Sequence, residues 1–354
     1  MKIEKIVLDT MERCYAASSL TIDGRLYAVL ASESIDGPCY GYTGDRFTEK
    51  EVIWEKAGGT MSLIQIPGSN GEFIAVQHFF PGFQSAGAKL VWGRRTGRGV
   101  WEIRDLVSLP YVHRFDLFAV GNDIYILAAT LCGSKKDRED WSDPGAVYVG
   151  KLPSRVDKGV QSEGVRFTPV LEKLTKNHGY CRGLWEGSPA AFVTSDEGIF
   201  VLSPPHAGGT EWKTRRLLDR PVGDVAVCDL DGDGVDELVT IEPFHGNQFV
   251  VNKRASARGQ EDGYEIVYRY PGELDFAHAV VGCTLRGKPA VIGGVRRKHC
   301  ELFILTWNAG RYEAEVVEQG IGPSNVAVVN GADRDIIISA NHTQNQAAIY
   351  LVRD

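Results

Sequence analysis

The chain has 354 residues, 39 lysines and arginines against 46 aspartates and glutamates (net charge -7), and 43% hydrophobic residues. That is the composition of a soluble globular protein, and basic runs no longer than Arg94-Arg95 or Arg296-Arg297-Lys298 argue against a nucleic-acid partner. No apolar run approaches the roughly 20 residues a membrane-spanning helix needs, so no membrane partner is expected either.

The first residues, MKIEKIVLDT, alternate in charge and lack the apolar core of a signal peptide. Cys14, Cys39, Cys132, Cys181, Cys228, Cys283 and Cys300 are odd in number and form no CxxC pair. They read as small apolar side chains in a reducing compartment, and the cytoplasm is the expected location.

Residues 3–10 read as a strand. Beyond it the chain repeats a hairpin: an apolar strand, a turn holding Gly or Asn, and a second apolar strand. The copies start at Tyr15, Thr60, His113, His178, Gly223, His278 and Asn325. Seven copies in 354 residues give a period of about 51, and units of roughly 40–50 residues with four strands each indicate a β-propeller. A third strand follows the later hairpins (89–94, 146–152, 198–204, 249–254, 302–307, 348–354). A fourth precedes the next copy (50–57, 99–107, 164–174, 211–219, 264–270, 312–320). The chain thus starts with a fourth strand and stops after a third. The expected fold is all-β: a seven-bladed propeller of four-stranded blades, forming a single domain. Residues 1–10 complete the last blade and leave no open edge. The blades span roughly 11–56, 57–108, 109–173, 174–218, 219–270, 271–318 and 319–354. Polar stretches at 132–145 and 254–264 read as exposed insertions, the first of them on the face that carries the histidines.

Two features suggest sites. The first is the turn DLDGDGVDE in the fifth copy, with Asp229, Asp231 and Asp233 at alternate positions and Glu237 after Gly234. Several hard oxygen donors in one turn suit Ca²⁺. An EF-hand is ruled out, because its twelfth position is Thr240 and strand follows instead of helix. The bland alternative is an acidic turn with no ion.

The second is the histidines. Aligning the copies on turns and apolar runs places His113, His178, Asp224, His278 and Asn325 at the start of the innermost strand. His78, His245, His299 and His342 fall in or near the second-to-third loop, which returns to the same face. Only His206 falls elsewhere. Arg114, Arg182, Arg296, Arg297, Tyr180, Glu242 and Asn341 lie close by in sequence. Any one histidine can be a hydrogen-bonded strand end. Seven on one face describe a funnel that must hold neutral rings, a metal or an anion, since imidazolium ions repel one another.

The acidic turn resembles the calcium loop of FG-GAP (VCBS-type) propellers, in which Asp229, Asp231, Asp233 and Glu237 would supply side chains and Val235 its carbonyl. The phrases TIEPFHGNQ, FAHAVVGCTLRGKPAVIGG, GIGPSNVAVV and ISANHTQNQAAIYLV are similar to the propellers of fungal aldos-2-ulose dehydratases and L-rhamnose-α-1,4-D-glucuronate lyases. That resemblance covers the third to seventh blades best. It implies β-elimination on a small sugar or uronic-acid saccharide, structural Ca²⁺ in the loop, and a second divalent metal in the funnel. Such chemistry needs a base, a cation to hold the enolate and an acid for the leaving oxygen. His113 or His178 is the expected base and Tyr180 or another histidine the acid. Arg114, Arg182 or a His-bound metal is the expected counter-charge. Because side chains alternate along a strand, His113 and Arg114 are not both expected to face the axis. The competing reading is a non-catalytic propeller that binds a carbohydrate or a protein. Oligomeric state is left open.

Overall fold

The computed structural model describes residues 1–153, 156, 164–255 and 263–354. Part of the 254–264 insertion therefore lies outside the described residues. The short β-branched and aromatic runs, cut every few residues by glycine, form seven antiparallel four-stranded sheets. In chain order these hold β2–β5 (Cys14–Ile22, Arg25–Ser32, Cys39–Thr43, Glu49–Trp54), β6–β9 (Leu63–Gln65, Phe73–Gln77, Lys89–Gly97, Val100–Ser108) and β10–β13 (Val112–Val120, Asp123–Thr130, Gly145–Lys151, Thr168–Leu174). Next come β14–β17 (Tyr180–Trp185, Ser188–Ser195, Gly198–Ser203, Lys213–Leu218), β18–β21 (Asp224–Cys228, Glu237–Glu242, Gln248–Arg254, Tyr264–Arg269) and β22–β25 (Ala277–Leu285, Lys288–Val295, Leu302–Asn308, Arg311–Glu318).

The seventh sheet joins the two ends of the chain. Its order is β26 (Pro323–Val329), β27 (Asp335–Asn341), β28 (Gln346–Arg353) and, outermost, β1 (Lys2–Thr10). β1 runs antiparallel to β28 from Lys2↔Arg353 to Thr10↔Gln346. Glu4 accepts from Arg353 at 2.9 Å and from Arg46 of the neighbouring blade at 2.6 Å. The expected closure is what the structure shows.

The innermost strands, β2, β6, β10, β14, β18, β22 and β26, stand side by side around the axis. Each apolar core lies between two adjacent blades. One holds Ile292, Leu302 and Ile304 of the sixth against Ile337, Ala348 and Tyr350 of the seventh. Another packs Leu30 and Tyr42 of the first blade on Ile338 and Ile349 of the seventh. Fully burying one such aliphatic or aromatic side chain contributes about 1.5–3 kcal/mol. A blade without its neighbours would expose both faces, so ring closure and core formation are one event.

A chain lacking residues 1–10 is expected to unfold at a clearly lower temperature and to self-associate through the bare β28 edge, read by calorimetry and sedimentation. An unchanged monomeric species of the same midpoint would show that the closure strand is dispensable.

Candidate functional site

The inner strands open with a local irregularity that builds the site. Register shifts fall between Cys14 and Ala16, Val112 and Arg114, Ala277 and Ala279, and Pro323 and Asn325. The residues left over are Tyr15, His113, His278 and Ser324. A β-bulge re-aims its side chain, and this overturns the expectation drawn from simple alternation. His113 lines the axial cavity, while Arg114 also crosses the centre, with Nη1 3.0 Å from Asn325 Oδ1 and Nη2 4.0 Å from Asp224. Asn325 sits one residue past its bulge, so Ser324 is the true counterpart of His113. Its hydroxyl oxygen lies 3.0–3.1 Å from the carbonyls of Cys14, Tyr15 and Ala340 and donates its one proton among them.

His178 and His278 are oriented from behind. Nδ1 of His178 lies 3.2 Å from the Gly223 carbonyl, and Nδ1 of His278 lies 2.7 Å from the Ser324 carbonyl. A carbonyl accepts only, so each Nδ1 carries the proton and each Nε2 offers a lone pair. His245, from the loop after β19, completes a triad whose ring nitrogens lie within 4.8 Å of one another. Nε2 of His178 and Nε2 of His245 have no hydrogen-bond partner. The Tyr15 hydroxyl bridges Nε2 of His113 and Nε2 of His278 at 3.3 Å each, and the His113 and His178 rings are 4.5 Å apart. The cavity they line is about 360 Å³.

Aromatic side chains roof it. His245 is stacked between Phe244 (3.9 Å) and Phe276 (4.2 Å). Phe244 meets Trp141 of the 132–145 loop at 5.6 Å, and Phe83 meets Trp141 at 5.4 Å. The loop is tied down by the Cys132–Pro144 bridge and by Lys135, whose ammonium sits 3.4 Å from the Trp141 ring centre. This insertion is therefore a wall of the site.

Burial holds the imidazoles neutral. It depresses His113, His245 and His278 well below the ordinary range, and the charges of neighbouring groups such as His178, Arg114 and Arg296 push the same way. His178 falls to about 3, chiefly by burial. Burial raises Asp224 to about 7 despite Arg114 nearby, and it raises the Tyr15 phenol. At the rim, burial would raise Glu33. The hydrogen bond from His342 Nε2 (2.6 Å) and the charges of Arg296 and Arg13 outweigh it, leaving Glu33 lowered. Arg296 also reaches His342 Nδ1 at 2.8 Å.

The structure brings His113, His178, His245, His278 and Arg296 into one cavity, with His342 beside it and Arg114 and Asp224 close by on the inner strands. Other expected members are committed elsewhere. Tyr180 donates to Asp116, and Arg182 binds the same carboxylate at 2.7 and 2.9 Å, so this acid and this counter-charge are held away from the histidines. Glu242 is clamped by Arg220 at 2.9 and 3.0 Å. Asn341 is buried against Gln346 and Tyr350. His299 is exposed, and His78 stacks on Phe80 at 5.5 Å outside the cavity lining. The residues missed are Tyr15, Glu33, Arg13 and the aromatic roof. Tyr15 was readable, since it heads the first repeat as His113 and His278 head theirs.

The acidic turn lies at the other end of β18. Oxygens of Asp229, Asp231 and Glu237 come within 4.8 Å of one another. Asp229 accepts from Gly232 and Gly234 N–H groups, Glu237 from Leu230 N–H at 2.7 Å, and Val235 is exposed. The Lys253 ammonium bonds Asp231 and sits 2.7 Å from Asp233 and 3.7 Å from Glu237. The donor set suits Ca²⁺, and Lys253 competes for it.

Comparison by sequence finds no matching family model and no matching curated protein. By structure, the chain is similar to an ancestral GH74 enzyme, with a TM-score of 0.63 at 10% identity over 97% of this chain. This chain spans 48% of that one. The likeness is one of fold. No helix of the described residues is long and apolar enough to cross a membrane.

An imidazole neutral in the native state and free to protonate when unfolded makes the unfolded chain bind more protons between the two pKa values. Stability is then complete above about 6.5 and falls as pH drops toward the native value, by about 1.4 kcal/mol per pH unit for each proton taken up. For His178 the window runs from 6.5 down to about 3. Urea unfolding in the presence of chelator should show a midpoint that falls between pH 7.5 and 5, with a shallower fall in His178→Gln. Asp224, raised to about 7, works in the opposite direction below that pH, so a midpoint flat over the range in an Asp224→Asn background would mean the histidines titrate normally.

Proposed function

We propose that this propeller is a carbohydrate-active lyase or dehydratase. It eliminates a leaving oxygen β to a uronate carboxylate or ketose carbonyl, with a divalent metal held by His178, His245 and His278. The observation that carries the reading is the convergence of one ring nitrogen from each of three imidazoles within 4.8 Å at the propeller mouth, beside which Nε2 of His178 and Nε2 of His245 have no hydrogen-bond partner. Loading would require the Tyr15 hydroxyl to turn away from His278 Nε2, and the three neutral nitrogen donors then suit a catalytic zinc-like or manganese-like ion. The Gly223 and Ser324 carbonyls act as the outer shell that fixes two ligands. The GH74 neighbour, a glycoside hydrolase propeller, supports carbohydrate as the substrate class at the level of fold.

The bound ion would supply Lewis-acid stabilisation of the enolate. The rest falls to the chain. His113 is buried and neutral and lines the cavity, so the lone pair of its ring can accept the carbon-bound proton. Its Nε2 lies 3.3 Å from the Tyr15 oxygen, within reach for passing a proton on. Tyr15, kept protonated by burial, gives its proton to the leaving oxygen and recovers one from His113. The Phe79, Phe83, Phe244 and Phe276 rings help exclude water. The same aromatic lining also suits a propeller that only binds a sugar, in which case ligand is held without turnover.

We propose Ca²⁺ for the loop from Asp229 to Glu237, entering as Lys253 swings out. The seven unpaired cysteines support a reducing compartment such as the cytoplasm.

Elemental analysis after loading with Mn²⁺ or Zn²⁺ should find one tightly held ion per chain, lost in His178→Ala and His278→Ala. Absorbance near 235 nm over a panel of uronic-acid glycosides, with a separate assay on keto-sugars, should reveal unsaturated product. His113→Ala should keep the ion and slow turnover about 10²- to 10⁴-fold. Full metal content in the triad variants, or no product from any substrate with loaded protein, counts against the reading. For the acidic loop, Ca²⁺ should raise the melting midpoint, and Lys253→Ala should tighten Ca²⁺ binding by about tenfold or more. No Ca²⁺ response in either protein would mark an ion-free turn neutralised by lysine.

A further inference from the structure

Three cavities at the mouth share walls. The histidine cavity shares Arg13, Phe276, Arg296 and Arg297 with a recess of about 430 Å³ toward the seventh blade. On its other side it shares Gly82, Phe83 and Arg138 with a recess of about 620 Å³ beside the 132–145 loop. The three spaces adjoin through these side chains, with the histidine triad in the middle one, and together make a candidate groove across the propeller face. Each of the three spaces is by itself in the size range of a small-ligand site.

The groove is charged against the trend of the chain. The whole protein carries -7, yet the groove is lined by Arg13, Arg296 and Arg297 at one end and by Lys135, Lys136 and Arg138 at the other. Its carboxylates are Glu12, Glu33 and Asp137, and Glu33 is already held by Arg13 and His342. Nε of Arg13 and Nε of Arg296 are buried without a hydrogen-bond partner, so the arginine end holds donors with nothing in the protein to accept from them. A planar guanidinium is suited to bidentate recognition of an oxyanion.

We infer that the groove binds an anionic oligosaccharide chain that passes across the histidines. Its acidic groups face Arg13, Arg296 and Arg297, and the chain continues past Phe83 toward Arg138. This deepens the carbohydrate reading above and rests on it, and it replaces the expected small saccharide with a longer one. The anion can be a uronate carboxylate or a sulfate ester, both of which this donor set recognises.

Calorimetric titration of the full chain, with His113→Ala alongside to suppress turnover, tests it. The probes are α-1,4-oligogalacturonides from dimer to hexamer, the same series reduced at the carboxyl groups, and sulfated oligogalactans of matched length. Affinity should rise about tenfold or more from dimer to tetramer. The carboxyl-reduced tetramer should bind about tenfold or more weaker. Arg138→Ala should weaken the tetramer more than the dimer, while Arg297→Ala should weaken both. Tighter binding of the sulfated series upholds the groove and names sulfate as the anion. Affinity independent of length, equal affinity for the uncharged series, or no binding of any acidic oligosaccharide overturns the inference. Length-dependent binding without 235 nm product would leave the groove standing and remove the lyase reading alone.

Discussion

The pairing of β1 with β28 is the contact on which the site depends. Tyr15 and His113 are 98 residues apart and Tyr15 and His278 are 263 apart, yet one hydroxyl bridges both rings. Those side chains meet because seven inner strands are bent into a closed ring, and only a completed seventh blade closes it. Each apolar core is shared by two blades, so an open ring would leave a core face bare as well as a strand edge. The geometry of the mouth is in this sense a consequence of the terminal strand.

Within the ring, the bulges matter more than the strands. Regular alternation would send every second side chain into a blade interface. One extra residue at the start of β2, β10, β22 and β26 turns Tyr15, His113, His278 and Ser324 toward the axis and brings Arg114 with them. The bulge at Ser324 also presents the backbone carbonyl that holds His278 by Nδ1, while His178 is held by the Gly223 carbonyl just before β18. The result is a group of buried, neutral imidazoles, with ring nitrogens of His178, His245 and His278 within 4.8 Å of one another. Such an arrangement is costly for protonated rings and favourable for rings that share an acceptor of their electron pairs.

Much of this was legible in the chain. The hairpin copies announced the blades, and the odd strand at 3–10 announced the closure. Aligned copies put His113, His178 and His278 at the axial ends of their strands, and Tyr15 heads its copy in the same way. What misled was proximity in sequence. Tyr180 and Arg182 follow His178 closely, but the strand carries them down to Asp116. Glu242 precedes His245 by three residues, but Arg220 claims it. Asn341 adjoins His342 yet turns inward to Tyr350. In each case the competing partner comes from a different strand, and a repeat pattern does not specify it.

By itself the sequence determined the class of fold, the number of blades, the closure strand and the face on which the histidines gather. These follow from period, polarity and turn chemistry, which are local properties. The tertiary structure decided which histidines share a cavity, which nitrogen each presents, and that an arginine-lined groove extends to both sides. Those outcomes depend on bulges, on carbonyls from neighbouring blades and on loops such as 132–145 that fold over the mouth. They are set by distances between residues far apart in the chain, and only the closed ring makes those distances short.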